Sequence, residues 1–382
     1  MKRAGLWLAP ALAAALLFSG CGGGEVYEVE QLRIMQTLGV DKSPGGVRVS
    51  LAAASGPGAG DEARCFSGEG RSISDGLERV RSRSMEEQLF CGHLRQLLLG
   101  QALAESGPEP LLSFVCRSPD ARLDTPLFLV RGGSAGDLMA ETGSGDKSVS
   151  ELLQAEETRL RARTGAPPFT AADLLRGLER SGAGVVWAVE QSSPSERKPE
   201  EEPADALKGA GLAVLNQQRL LGFLNEEETL GTCLLLEKVA AWDYVLELDP
   251  GKTVCVELRE ERLQAEPVWS RKGELKGLSL SLRLSAVVLD APAGFDPGGD
   301  RDGELLSARL ETALAGCVRA ALDRAREWQA DFPALGLRIE RAAPLRWRQT
   351  GISEQLPAAL PELSVRVGLK IEQSGDVKEA GG

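Results

Sequence analysis

Residues 277–288 read Gly-Leu-Ser-Leu-Ser-Leu-Arg-Leu-Ser-Ala-Val-Val. Leu278, Leu280, Leu282, Leu284, Ala286 and Val288 fall on one side of an extended chain, and Ser279, Ser281, Arg283 and Ser285 on the other. A strict period of two is the mark of a half-buried β-strand. The same alternation returns at residues 363–371, where Leu363, Val365, Val367, Leu369 and Ile371 interleave with Ser364, Arg366, Gly368 and Lys370. Between the two lies residues 303–328, with Leu306, Leu310, Leu314, Cys317, Val318, Ala321 and Leu322 at helical spacing. A stripe of that width predicts one long amphipathic helix. The C-terminal unit, 263–382, is thus expected to be a mainly antiparallel or mixed twisted sheet packed on a long helix, an α+β arrangement.

Working back toward the N-terminus, residues 209–224 read as a two-stranded unit with a polar turn at Asn216-Gln217-Gln218. Asn225 precedes Glu226, Glu227 and Glu228, an N-cap with acidic residues in the first helical turn. Residues 191–206 carry prolines and acidic residues with almost nothing apolar, and are expected to be a linker. Upstream of it, residues 26–37 mix apolar and polar positions at near-helical spacing and read as a short helix or strand, and Leu38 to Asp41 lead into a strand of a hairpin that turns at Ser43-Pro44-Gly45-Gly46. Helices are predicted over 72–84, 100–104, 109–116 and 150–163, and strands over 127–130 and 185–189. The run from Leu89 to Leu99 reads as one buried strand, and Thr170 with Asp173 as a capping box for a helix stopping at Gly182.

At the start of the chain, Lys2 and Arg3 precede an apolar run that ends at Ser19-Gly20-Cys21. This pattern is a secretory signal, too short for a permanent spanning helix. A cysteine directly after Ser-Gly resembles a bacterial lipobox, although Phe18 stands where Leu is usual. By that resemblance Cys21 is the lipidation site, residues 1–20 are removed, and Gly22 to Gly24 form a flexible leash. No other stretch is long and apolar enough to span a membrane.

The 382 residues exceed what one core serves, so several domains are expected. The net charge of −12 grows more negative once Lys2 and Arg3 are gone, which disfavours nucleic acid and anionic headgroups as partners. Cys65, Cys91, Cys116, Cys233, Cys255 and Cys317 are scattered, without a C-x-x-C pair; an exported location permits disulfides among them, and buried free thiols are the preferred reading.

Chemistry-bearing motifs are missing. The single histidine, His93, sits in an apolar run and reads as a buried structural residue. There is no G-x-S-x-G, no Walker A loop and no G-x-G-x-x-G. No catalytic residue, no metal ligand set and no cofactor is therefore assigned. Trp347 reads as a packing residue between the end of the long helix and the final sheet.

Four stretches together resemble the Ger(x)C family, the lipoprotein C subunits of the germinant receptors of spore-forming bacteria. The first is Glu30-Gln31-Leu32 through Leu38-Gly39-Val40-Asp41-Lys42. The second is Gly92-His93-Leu94-Arg95 to Gly100-Gln101-Ala102-Leu103-Ala104, followed by Arg117 and Pro119. The third runs from Gly209-Ala210-Gly211 to Gly222-Phe223-Leu224, and the fourth from Asp331 through Leu335-Gly336, Pro344 and Trp347 to the last strand. Leu215 replaces the family's usual Phe, a second tryptophan after Trp347 is missing, and the acidic stretch 196–205 is unusual.

The resemblance implies three mixed α/β domains: an N-terminal one at 21–190, a small middle one at 207–262 and the C-terminal one at 263–382. It implies a non-enzymatic receptor subunit needed for the response to small-molecule germinants. Its partners would be two membrane-embedded subunits, its place the outer face of the inner spore membrane, and its anchor the lipid on Cys21. Gly39, Gly211 and Gly222 read as positions where a side chain would clash or φ is positive. A solute-binding lipoprotein of a transporter and an exported hydrolase are the competing readings. The alternating strands oppose the first, and the lack of a base other than His93 opposes the second.

Overall fold

The computed structural model describes residues 32–53, 65–84, 88–142, 148–164, 167–191, 207–350, 356 and 362–372. Cys21 and residues 192–206, the core of the expected linker, lie outside the described residues. In the first half the elements are β1 (Leu32–Ser43), β2 (Gly46–Ala53), β3 (Cys65–Gly70), α1 (Ile73–Arg83), β4 (Gln88–Phe90), β5 (Gln96–Gly100), α2 (Gln101–Ala104), α3 (Glu109–Arg117), β6 (Leu127–Val130), α4 (Ala135–Thr142), α5 (Val149–Thr164), α6 (Ala171–Ser181) and β7 (Ala183–Gln191). The second half has β8 (Leu207–Asn216), β9 (Leu220–Phe223), α7 (Glu226–Leu235), β10 (Trp242–Asp249), β11 (Lys252–Trp269), β12 (Leu275–Asp290), α8 (Asp300–Glu327), α9 (Leu335–Ala342), α10 (Pro344–Thr350) and β13 (Glu362–Glu372). The chain is α+β, with two sheets and ten helices among the described residues.

The first sheet has the order β3-β2-β1-β5-β6-β7-β8-β9, and β4 pairs with the start of β1. Its centre is parallel, because β1, β5, β6 and β7 run the same way, and both flanks are antiparallel. A parallel centre must be covered on both faces. Accordingly every residue of β5 and β6 is buried, and so are the first seven of β7. Alternation sends Leu98, Phe128 and Trp187 into one core and Leu97, Leu99, Leu127 and Leu129 into the other. Helices α1, α3 and α6 close the second of these; α4, α5 and α7 close the first.

The second sheet has the order β10-β11-β12-β13, antiparallel except for the parallel pair β12–β13. Leu278, Leu280, Leu282, Leu284 and Ala286 are buried as their alternation predicts. Ser285, on the face expected to be wet, is buried too. The long helix spans Asp300–Glu327 and buries Leu306, Leu310, Leu314, Cys317, Val318, Ala321 and Leu322. Burying one such leucine contributes roughly 1.5–3 kcal/mol.

Residues 32–43 form one strand paired with β2 and β5, so the expected hairpin is present and the described part of the stretch left open as helix or strand is strand. Two expectations need correction. The run from Leu89 to Leu99 is two short strands, β4 and β5, separated by a turn at Gly92-His93. Residues 207–262, read as a small middle domain, divide between the sheets: β8 and β9 continue the first, while β10 and β11 begin the second. The hydrogen-bonding edge that β7 offers is filled by β8, so the sheet runs straight through the 191–206 segment's two ends.

Helix α7 joins the two layers. Its positions 228–235 are all buried, and a Cβ on Gly231 would lie 2.1 Å from the Cys317 carbonyl oxygen of α8. In an exposed helix Gly→Ala gains about 1 kcal/mol. Here the added methyl must push α7 and α8 apart, so Gly231→Ala is expected to destabilise by about 1–3 kcal/mol in urea unfolding. An unchanged or raised midpoint would contradict this close packing.

Candidate functional site

The residues that carried the family resemblance gather at seams between elements. Asp41, in β1, is 5% exposed and accepts hydrogen bonds from the backbone N–H groups of Ala135 (2.7 Å) and Gly136 (2.8 Å) at the start of α4. A carboxylate there satisfies two N–H groups that the helix itself leaves unbonded. Burial pushes its pKa up, opposed by the two backbone donors. Gly39 and Gly100 make room for this contact. A Cβ at Gly39 would meet Met139 Sδ at 2.7 Å, and one at Gly100 would meet Asp41 Oδ1 at 1.9 Å.

The same device recurs at Asp331, which is 4% exposed and accepts from Leu335 N at 2.7 Å and Gly336 N at 2.8 Å where α9 begins. Burial pushes its pKa up to about 7 against those two donors. A third carboxylate, Glu228, closes the capping box with Asn225 and receives Arg324 of α8 at 2.8 Å. The expected Thr170–Asp173 capping box on α6 is present as well. Gly211 has φ +78°, and a Cβ there would stand 2.6 Å from the Leu224 carbonyl; one at Gly222 would stand 2.7 Å from the Trp328 indole. The glycine readings thus hold, for reasons of close approach in all three cases and of backbone conformation at Gly211.

His93 is not the buried residue its neighbours suggested. It lies exposed in the turn after β4, its ring edge-on to Phe90 with centroids 5.8 Å apart. Trp347, on α10, is half-buried, and its indole lies 3.4 Å from where a Gly336 Cβ would sit. It belongs to the margin of the core beside α9. The six cysteines of the described chain are free thiols, but only Cys91, Cys233 and Cys317 are buried, while Cys65 and Cys255 are half-buried and Cys116 is exposed. Burial pushes the Cys233 thiol up to about 12 and Cys65 and Cys317 to about 11, far from the range of reactive thiolates. Among the described residues no group of three or more His, Cys, Asp and Glu is placed to hold a metal ion.

One carboxylate is left without a partner. Both oxygens of Glu260, at a bulge in β11, are buried and accept no hydrogen bond among the described residues. Burial and the nearby Glu237 push its pKa up to about 8, with Arg338 acting in the opposite sense. Sequence reasoning missed it because Glu260 sits in a run of charged residues that looks solvated.

Two measurements follow from this arrangement. The unfolded chain releases the Glu260 proton near 4.5 and the folded chain near 8, so native stability falls as pH rises between those values and levels off above. Glu260→Gln is therefore expected to change stability by less than about 1 kcal/mol at pH 5 and to stabilise by roughly 2–5 kcal/mol at pH 9 in urea unfolding. A gain that does not grow with pH would contradict the buried, unpartnered carboxylate. Because His93 is exposed, His93→Leu is expected to change stability by less than about 0.5 kcal/mol in the same assay. A larger loss would put its imidazole back in the core.

Comparison with known proteins agrees with the fold. Two family profiles match in order, "Spore germination protein N-terminal domain" over residues 25–190 and "Spore germination B3/ GerAC like, C-terminal" over residues 210–375. YfkR of Bacillus subtilis (strain 168), a protein named for spore germination, is 20% identical over 332 residues, covering 84% of each chain. The crystal structure of the GerBC protein superposes with a TM-score of 0.57 at 15% identity, over 88% of this chain and 96% of that one. The two profiles take in the four motif stretches except Gly209 and match most of the chain, and on that ground the chain belongs to the Ger(x)C family of spore germination proteins.

Proposed function

We propose that the chain is the lipid-anchored C subunit of a germinant receptor, a non-enzymatic component that acts with two membrane-embedded subunits in the response to small-molecule germinants. The observation that carries this reading is the ordered match of both family profiles, which together take in most of the chain. The signal pattern ending at Ser19-Gly20-Cys21 supports export and lipidation at Cys21. That anchor and the family support placement on the outer face of the inner spore membrane.

Ten residues separate Cys21 from Leu32, where β1 begins. Fully extended they reach at most roughly 40 Å, which keeps the first sheet within one molecular diameter of the bilayer. One acyl chain binds a membrane only marginally, so stable residence needs further chains or a partner. No helix of the described residues is long and apolar enough to cross a membrane.

The test is Cys21→Ala. The variant is expected in the soluble fraction of disrupted spores, with germination in response to the receptor's germinant lost at normal protein level. Retention of Cys21→Ala in the membrane fraction of a strain lacking both partner subunits would overturn the anchor. Normal germination by the soluble variant would overturn the requirement for it.

A further inference from the structure

A cleft of about 230 Å³ opens where the C-terminal half of α6 and the start of β7 meet the α7–β10 connection and α9. Its charge is at odds with the rest of the molecule. Arg176, Arg180, Lys238, Arg338 and Arg341 line it, in a chain whose net charge is −12. Only two carboxylates, Asp173 and Glu237, share the lining.

Both carboxylates are already engaged. Asp173 accepts from Thr170 N at 3.1 Å to cap α6 and from Arg176 at 2.9 Å, with Lys238 at 4.0 Å. Glu237 accepts from Arg338 at 2.7 Å. Arg180 and Arg341, both exposed, have no acidic partner among the described residues. Arg338 holds the Leu235 carbonyl as well, yet its Nε–H is buried and has no acceptor among the described residues. Five cationic groups converging on a concavity with two spent counter-charges leave a field that an anion relieves.

The backbone around the cleft is held in an uncommon state. Glu237 has φ 56° and Ala334 has φ 58°, and both line the cleft. Non-glycine residues persist there only when their surroundings over-determine them, and such residues concentrate at ligand clamps. The walls between the guanidinium groups are apolar: Phe169, Val185, Phe332 and Leu337 line them, with Lys238 Nζ 5.5 Å from the Phe169 ring centroid.

The geometry points to a binding site for a small oxyanion, a carboxylate or phosphate carried on a compact apolar body. The charged head is held by Arg180 and Arg341, with Arg338 at the base, and the apolar body lies against Phe169 and Phe332. A planar oxyanion suits guanidinium donors because two N–H groups meet two oxygens side by side. This site goes beyond the receptor-subunit reading and does not depend on the Cys21 anchor.

The test is calorimetric titration of the full chain with benzoate, phenyl phosphate, acetate and inorganic phosphate. Low ionic strength is used because exposed guanidinium groups are screened by salt. Saturable binding is expected, tighter for benzoate or phenyl phosphate than for acetate or inorganic phosphate, and the preferred head group tells carboxylate from phosphate. The double variant Arg180→Gln with Arg341→Gln is expected to bind at least tenfold more weakly. A charge-matched control, Arg309→Gln with Arg366→Gln, is expected to change affinity less than twofold. Each single variant is measured too, so that a folding defect in the double variant, read from its melting curve, does not remove the comparison. No saturable binding of any of the four anions, or equal losses in the cleft and control variants, would overturn the site. Binding of an acidic peptide without any of the small anions would overturn it as well.

Discussion

The contact between Gly231 and the Cys317 carbonyl sets the distance at which the two layers of this protein meet. Because no side chain stands between them, α7 lies against α8 closely enough for Glu228 and Arg324 to pair across the same seam at 2.8 Å. Apolar residues of the first sheet, α7, α8 and the second sheet then join in one continuous core. Without that approach each sheet would keep an uncovered apolar face, and a carboxylate and a guanidinium would lose their partners in a half-dry site. The family's glycine-rich and aspartate-bearing stretches have the same character. Gly39, Asp41 and Gly100 dock α4, while Gly211, Gly222, Asp331 and Gly336 dock α7, Trp328 and α9.

How much of this was legible in the sequence follows from how local each signal is. The strand at residues 277–288 and the helix between Gly303 and Trp328 announce themselves, since their periodicity survives whatever they pack on. The caps at Asn225 and Thr170 are equally local and appear as read. Other features depend on partners far away in the chain. Residues 32–37 read as helix or strand until β2 and β5 pair with them, and His93 looks buried until Gly92 turns the chain outward. Long charged strands such as β11 hide from an alternation test because a bulge at Glu260 breaks their period. The cation-rich cleft was beyond reach for the same reason, since Arg176 and Arg341 meet only once both sheets are assembled.

For a receptor subunit, buried carboxylates at helix starts are a means of holding shape. Asp41 and Glu228 each tie one helix to an element distant in sequence, and Asp331 caps the start of α9 locally, all through bonds that tolerate little displacement. Glu260 stands apart, because its carboxylate lies unbonded beside the Glu237–Arg338 pair that lines the cleft.

The parallel pairing of β12 with β13 has a consequence for how the molecule assembles. Residues 290 and 362 bracket a connection that contains all of α8, α9 and α10, so the last strand of the second sheet docks only after that whole excursion is in place. Pairings of such long sequence separation form slowly. Until β13 arrives, β12 presents an open edge whose side chains alternate between leucine and serine, the pattern most prone to pairing with another chain. Prompt closure by β13 therefore guards the chain against self-association.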